Sequence, residues 1–327
     1  MIVDQGQEQV AGYTNLEEGV FKEVPAIVFG DHTRVIKYVE EPFFLGADVV
    51  KVLTCRLPNA NYKYLYYTLL NAKIPNTGYN RHFKWLKEIK IAYPNTEKQT
   101  EIVCILDKVS KIIEFRQQQL KKLDELVKSR FIELFTDKGY PIGTINEVSL
   151  GKGEYGAQSA STEYNPKRPR YVRITDINDD GTLNDDVVAS INPDDDEQYR
   201  LEYGDFMFAR MGATVGKTYA FISGNQIFAG YLIRYKLNLK LINPRYLFWY
   251  TKLDEYWNWV KLNQSGAAQP GINAQKYGAL RIPVPPIELQ EQFAAFVEQT
   301  DKSKFVIQQA LDKAQLLFDS LMQKYFG

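Results

Sequence analysis

Two cysteines and two histidines are all that 327 residues offer in thiol and imidazole chemistry, and the formal net charge is zero. Cys55 and Cys104 stand apart, outside any CxxC or metal-ligand spacing, which argues against a disulfide framework or a zinc site. Cys104 falls in a helix-patterned stretch, where a small buried side chain is the expected role. His32 and His82 have no nucleophile or ligand at a motif spacing. No run approaches the ~18 apolar residues of a membrane span. The opening Met1-Ile2-Val3-Asp4-Gln5-Gly6-Gln7-Glu8 lacks the basic end and apolar stretch of a signal peptide, so a cytoplasmic location is expected. Also missing are an Asn/Asp-Pro-Pro-Tyr/Phe adenine-methylation motif and a cofactor-type Gly-rich loop after a strand. Val215-Gly216-Lys217-Thr218 looks like the end of a P-loop, but Met211 stands where that motif needs its first glycine. Asp194-Asp195-Asp196 lacks calcium-loop spacing and sits beside Pro193 in a turn signal, so a solvated loop is expected. Glu88-Ile89-Lys90 is the best nuclease-like triplet, and it has no upstream acidic partner. Catalysis, bound metal and bound cofactor are therefore not expected of this chain.

What the chain does have is a long internal repeat. Ile91 to Phe135 and Ile282 to Phe326 align without a gap, 191 positions apart. Pro94 matches Pro285, Glu97 matches Glu288, Gln99 matches Gln290, Lys111 matches Lys302, and Gln117-Gln118 matches Gln308-Gln309. A repeat of this kind makes the chain two related units, each a globular part followed by a long helix. The first helix carries Ile102, Ile105, Leu106, Val109, Ile112, Ile113, Leu120, Leu123, Leu126 and Val127 as one apolar stripe near a 3.5-residue period. The second carries Phe293, Phe296, Val297, Ile307, Leu311, Ala314, Leu317, Phe318 and Leu321. At 1.5 Å per residue, ~39 residues span roughly 60 Å. A helix that long needs a partner for its stripe. The other copy is the economical choice, with homodimerisation the alternative. Thr96 followed by Gln99 forms a capping-box pattern, which marks the start of the first helix.

The globular parts read as α+β. Pro25 to Phe29, Val49 to Leu57, Tyr171 to Ile174 and Asp205 to Ala209 have strand composition. Asn178-Asp179-Asp180-Gly181 and Asn192-Pro193-Asp194 are turn signals. Tyr62 to Leu70 has helical spacing, and Asn243-Pro244 opens a helix through Tyr246, Leu247, Tyr250, Leu253 and Trp257. Tyr246, Phe248 and Trp249 are expected in the core. Each unit also has Gly-x-Asn ahead of its last strand, at Gly78-Tyr79-Asn80 and Gly271-Ile272-Asn273. The boundaries follow as 1–94, a first globular domain; 95–138, helix; 139–286, a second globular domain; and 287–327, helix.

Zero net charge conceals a segregation along the sequence. Asp176 to Asp205 holds eleven acids and one base, whereas Phe206 to Pro286 holds ten bases and two acids. Such a chain can still present one basic face. Phosphate contacts need cations and backbone N–H groups, and base discrimination needs paired donors and acceptors. Arg210, Thr214 and Lys217 lie in a Gly-punctuated loop; Gln269 and Asn273 flank Pro270-Gly271; Arg168, Arg170 and Arg173 form a basic run. His32, Thr33, Arg34 and Lys37 hold the comparable place in the first unit. These twelve residues are the candidate DNA contacts.

The segments Gly204 to Lys217, Gln264 to Asn273 and Ile282 to Pro286, with Val3 to Gln7, Ala11 to Tyr13, Phe29 to Arg34 and Gly46 to Asp48, resemble the specificity subunit of type I restriction-modification enzymes. The resemblance implies two target-recognition domains separated by two long antiparallel helices. It further implies no catalysis by this chain, double-stranded DNA as ligand, and two methyltransferase subunits and restriction (translocase) subunits as partners. S-adenosylmethionine would sit on the methyltransferase. Family members begin with a strand region like Tyr140 to Gly151, and nothing equivalent precedes Ile2, so the first domain is expected to be shortened at its N-terminus. The alternatives are a silent recognition cassette and, from other classes, an autonomous nuclease or a coiled-coil scaffold.

Overall fold

The structure is a computed structural model that describes residues 1–46, 49–191, 197–266 and 270–327. The chain divides into two compact units, Met1–Leu120 with Val306–Gly327, and Lys121–Phe305. The turn read at Asn192-Pro193-Asp194, the Asp194-Asp195-Asp196 run and Gln269 all lie outside the described residues.

The first unit contains β1 (Ile2–Val3), β2 (Ala26–Gly30), β3 (Ile36–Val39), β4 (Phe44–Leu45) and β5 (Val50–Leu53). It also contains α1 (Tyr62–Leu70), α2 (Phe83–Leu86) and the start of α3 (Thr96–Phe135). β2 is the centre of an antiparallel sheet ordered β3-β2-β5, and all five of its residues are buried. Side chains alternate faces along a strand. Accordingly Val28 joins Val3, Val39, Phe43 and Val50 on one face, while Ile27 and Phe29 pack with Leu69 and Leu86 on the other. The strand read from Val49 to Leu57 is shorter than expected, ending at Leu53 before a bend at Arg56-Leu57 and a turn at Pro58-Asn59.

The second unit contains β6 (Ile142–Thr144), β7 (Glu154–Tyr155), β8 (Thr162–Glu163), β9 (Arg170–Val172), β10 (Ala189–Ser190), β11 (Asp205–Ala209), β12 (Thr218–Ala220), β13 (Gln226–Phe228) and β14 (Leu232–Lys236). α4 (Pro244–Tyr250), α5 (Asp254–Asn263), α6 (Ala274–Gly278), β15 (Arg281–Pro283) and α7 (Ile287–Phe326) follow. β11 is central in the antiparallel order β12-β11-β14-β7. Phe206 and Phe208 enter a tyrosine-rich core with Tyr235, Tyr246, Tyr256 and Tyr277, and Met207 and Ala209 enter a second core with Val172 and Phe228. Fully burying each such phenylalanine contributes about 1.5–3 kcal/mol.

Several local readings are corrected. β9 stops at Val172, because the Arg173 N–H turns to donate to the Asp176 carboxylate at 2.9 Å. The helix opening at Asn243 is two helices, since Thr251 caps α4 and Leu253 restarts the chain in extended backbone. The cap of α3 is Asn95, not Thr96: Asn95 Oδ1 accepts from Lys98 N at 2.9 Å. Gln99 instead reaches back to the Pro94 carbonyl at 2.7 Å, and its repeat mate Gln290 reaches the Pro285 carbonyl at 2.8 Å. Cys104 is exposed, on the outer side of α3.

Within the first unit the start of α3 meets the end of α7, through Ile102, Leu106 and Met322. Within the second, the end of α3 meets the start of α7: Phe131 lies 5.3 Å from Phe293, and Lys304 pairs with Asp124. The helices therefore run antiparallel within each unit. Their stripes are buried only towards the ends. Ile112, Leu126 and Leu317, expected inside, are about half exposed, while Ile113, Leu120, Leu123, Ile307 and Leu311 are half-buried. Among the described residues, no helix is long and apolar enough to cross a membrane.

Candidate nucleic-acid interface

The two loops singled out in the second unit meet. Gly212 N donates to the Pro270 carbonyl at 3.0 Å, Ile272 N donates to the Arg210 carbonyl at 2.9 Å, and Met211 bridges Gly271. The loop after β11 can bend this way because Gly212 and Gly216 take positive φ, 71° and 90°. A Cβ on Gly216 would meet Trp257 and Val260 at 2.9 Å, so that position is closed to larger residues. The chain continues into β12, not into a helix, so Gly216-Lys217 does not have P-loop geometry.

Arg210 is half-buried and stacks its guanidinium 4.8 Å from the Tyr155 ring. Its Nε is buried and has no hydrogen-bond partner among the described residues, and none of the ion pairs among them involves Arg210. Thr214 is half-buried and donates to the Met211 carbonyl at 3.2 Å. Asn273 is exposed, but its Oδ1 accepts from Lys276 N at 2.9 Å as the cap of α6, so the acceptor half of the expected two-point amide contact is already used.

The remaining basic candidates hold the protein together. Arg173 donates to both oxygens of Asp176, at 3.2 and 2.8 Å, and Asp176 is only 2% exposed. Arg170 pairs with Asp185 at 2.7 Å, and Arg168 donates to the Ile191 carbonyl at 3.1 Å. Lys217 pairs with Asp179 at 2.7 Å. That bond and the lysine's charge hold the Asp179 carboxyl below its usual range. Arg234, buried, bridges Glu154 and Asp205, whose own carboxyl burial pushes up. Two cations of the basic stretch, Lys217 and Arg234, are thus paired with carboxylates of the acid-rich stretch. The single basic face expected from the sequence is reduced accordingly. Lys252, beside Asp179 and Lys217, is lowered to about 8 by burial.

In the first unit, the loop at His32 meets the segment at Gly78 in the same manner. His82 N donates to the Asp31 carbonyl at 2.8 Å, and Asp31 Oδ1 accepts from Phe83 N at 2.7 Å. His82 therefore holds the helix-opening place of Asn273, which the repeat spacing of 191 also gives; the Gly-x-Asn match pointed to Asn80 instead. His32 stacks on the exposed Tyr79 ring at 4.4 Å. Thr33 is exposed, and Arg34 donates to the Ile74 carbonyl at 3.3 Å from left-handed backbone, φ 63°. Lys37 does not belong to this surface. It is 2% exposed and is held by the Asp4 carboxylate at 3.3 Å and by the Glu8 carbonyl.

Sequence reasoning missed Tyr155, Tyr231 and Tyr79. Tyr231 is 56% exposed and accepts from Arg210 N through its carbonyl at 3.0 Å. It edges a cavity of about 380 Å³ lined by Gln158, Ser159, Tyr171, Arg173 and Ala229. Exposed aromatics leave no periodic signal, and Tyr155 lies far from Arg210 in sequence.

Taken together, the fold is a repeated recognition-type α/β unit carried on long helices. The family model of the type I restriction modification DNA specificity domain matches residues 9–125 and 140–315, and the chain belongs to that family. The specificity subunit of the type I restriction enzyme EcoR124I/EcoR124II of Escherichia coli is 33% identical over 122 residues, a stretch that spans 33% of this chain and 30% of that relative. The fold is similar to the type I restriction-modification S subunit of M. genitalium, with a TM-score of 0.63, 16% identity, and coverage of 100% of this chain and 88% of that one. It is also similar to a chain from a structure of type I R-M system complex assembly and conformational transition, with a TM-score of 0.54, 15% identity, and coverage of 99% and 90%.

Proposed function

We propose that this chain is the non-catalytic DNA-reading subunit of a type I restriction-modification complex, with each recognition domain contacting one half of a bipartite double-stranded site. The observation that carries this reading is the loop pair of the second unit. Arg210, poised on Tyr155 with an unpartnered Nε, stands where the glycine loop and the Pro270-Gly271 loop join. A planar guanidinium offers the fork that guanine or phosphate accepts. Thr214 and Asn273 follow along the same loops, Gln269 precedes Pro270 in the sequence, and His32, Thr33 and Arg34 stand at the counterpart in residues 1–94.

The partners are two methyltransferase subunits, which carry the S-adenosylmethionine, and restriction subunits; the complex works in the cytoplasm. Support comes from the helices. Phe115 and its repeat mate Val306 are 63% and 64% exposed, and Leu126 and Leu317 are 49% and 51% exposed. Matched apolar residues left uncovered in both copies suit one kind of partner bound twice. The domain boundaries 1–94, 95–138, 139–286 and 287–327 go with this division of labour.

The test is co-expression with the type I methyltransferase subunit from the same genome. Co-purification followed by DNA binding of the complex supports the reading. A chain that recruits no methyltransferase and adds no DNA affinity to it would point to a scaffold or a silent cassette.

A further inference from the structure

The cavity of about 380 Å³ beside Arg210 has no part in the loop pair described above. Both residues that frame Arg210 run straight into its walls. Tyr155, on which the guanidinium stacks, leads into the wall residues 157–159. Tyr231, whose carbonyl accepts from Arg210 N at 3.0 Å, ends the wall residues 229–231. Backbone bonds lace these two segments together. Ala157 N donates to the Phe228 carbonyl at 2.9 Å, and Gly230 N donates to the Ala157 carbonyl at 2.7 Å. Gly156 permits the close approach, since a Cβ there would meet the Phe228 and Ala229 carbonyl oxygens at 2.4 Å. The Tyr171 hydroxyl adds a further tie, 2.8 Å from the Ala157 carbonyl and 3.0 Å from that of Ser159. The cavity is therefore built into the fold, as ligand sites commonly are.

Its lining narrows the occupant. Ala157, Tyr171 and Ala229 are buried and give an apolar floor, while Gln158, Thr175 and Tyr231 are exposed at the rim. Among the described residues no carboxylate lines the cavity, and the one cation that does, Arg173, is engaged by both oxygens of Asp176. Such a balance suits a neutral ligand. It leaves no spare positive charge for a phosphate and no anion for a metal ion or an amine. The volume is near the lower end of the range for ligand pockets, about 300–1,000 Å³, and has room for one flat ring system with its sugar. Tyr231 offers an aromatic face for stacking. Gln158 spends one N–H on the Gly156 carbonyl at 3.4 Å, and its amide has a second N–H and an oxygen for a base edge. We propose that this cavity is a single-nucleobase site, with the ring of the base against Tyr231. One source is duplex DNA, which rests on the function proposed above. A methyltransferase takes its target base out of the stack, and the base opposite then loses its partner and can turn outward. The other source of the same chemistry is a free nucleoside.

The test uses the full chain and two probes. The first is a pair of duplexes with a one-nucleotide bulge, carrying either 2-aminopurine or an abasic residue at the bulge, so that both are equally bendable and only one presents a base. The second is 2-aminopurine riboside without DNA. The base-bearing bulge should bind about tenfold tighter than the abasic one, within the range of one base stacked on an aromatic side chain. Tyr231→Ala should bring that ratio close to one, and Tyr231→Phe should keep it. Riboside binding lost in Tyr231→Ala and kept in Tyr231→Phe, with the two bulges bound equally or not at all, would support the base site and assign it to a free nucleoside. That outcome separates a failure of the DNA source from a failure of the site. Equal affinity for the two bulges together with no riboside binding would overturn the proposal. So would a preference for the base that survives Tyr231→Ala.

Discussion

Asp179 is the residue whose removal tests the electrostatics of the candidate interface most sharply. Its carboxylate holds Lys217 at 2.7 Å, yet its own side chain is 92% exposed, so little else depends on it. Lys252 lies close enough for its charge to lower the Asp179 carboxyl further. Asp179→Asn keeps the shape and releases Lys217 toward a phosphate. An exposed pair of this kind is worth about 0–1 kcal/mol, so folding stability should barely change. DNA binding should change more. One added phosphate contact steepens the slope of log affinity against log salt by about 0.9. Between 50 and 200 mM salt that amounts to roughly a 3- to 4-fold larger loss of affinity. The assay is fluorescence anisotropy of the chain in complex with its methyltransferase, across a salt titration, for the parent, Asp179→Asn, Lys217→Ala and the double variant. Lys217→Ala should leave the parent's slope unchanged, and Asp179→Asn should have no effect on a Lys217→Ala background. Superimposable salt slopes for all four proteins would refute the reasoning and leave Lys217 a purely structural cation.

Other outcomes follow from the same contacts. Arg210→Ala should weaken DNA binding by about 1–3 kcal/mol in one half-site, with Arg210→Lys recovering only part, measured on half-site variants. Arg173→Ala should instead lower stability by about 3 kcal/mol in urea unfolding, because it strands the buried Asp176, while the salt slope of the folded protein stays unchanged. Gln290→Leu should cost about 2–3 kcal/mol, since Gln290 ties the Leu241 and Pro285 carbonyls and Asn243 N to the start of α7. For Lys252, burial depresses the folded value to about 8, below the ordinary lysine value of 10.5. Its contribution to stability is then fully present above 10.5 and is lost as pH falls from there through about 8. Parent and Lys252→Met stabilities, compared between pH 7 and 10.5, should differ by an amount that varies in that direction; a constant difference would contradict it.

The frame was legible in the sequence, and the surface chemistry was not. Gln99 and Gln290 stood out as matched residues at fixed spacing, and both prove to lock a helix start to the proline before it. β2 and β11 were readable because continuous apolar runs buried on both faces have a strong compositional signal. Charge was harder. Arg168, Arg170 and Arg173 look like a phosphate-binding run until the fold brings Asp185 across to Arg170 and the Ile191 carbonyl to Arg168, which no linear spacing encodes, while Arg173 is held by Asp176 three residues on. Lys37 failed for the same reason, since Asp4 and the Glu8 carbonyl wrap it from the N-terminal segment. Arg210 survived as a candidate because glycines around it mark a loop that must approach something closely. What it stacks on, Tyr155, comes from another strand, and side chains meeting across strands are a product of topology.

The most direct test is methylome sequencing of cells that express this chain with its partner methyltransferase, alongside cells carrying Arg210→Ala. The account predicts one split methylated motif for the parent and a motif degenerate in a single half for the variant. An unsplit motif, or a motif left identical by Arg210→Ala, would contradict it.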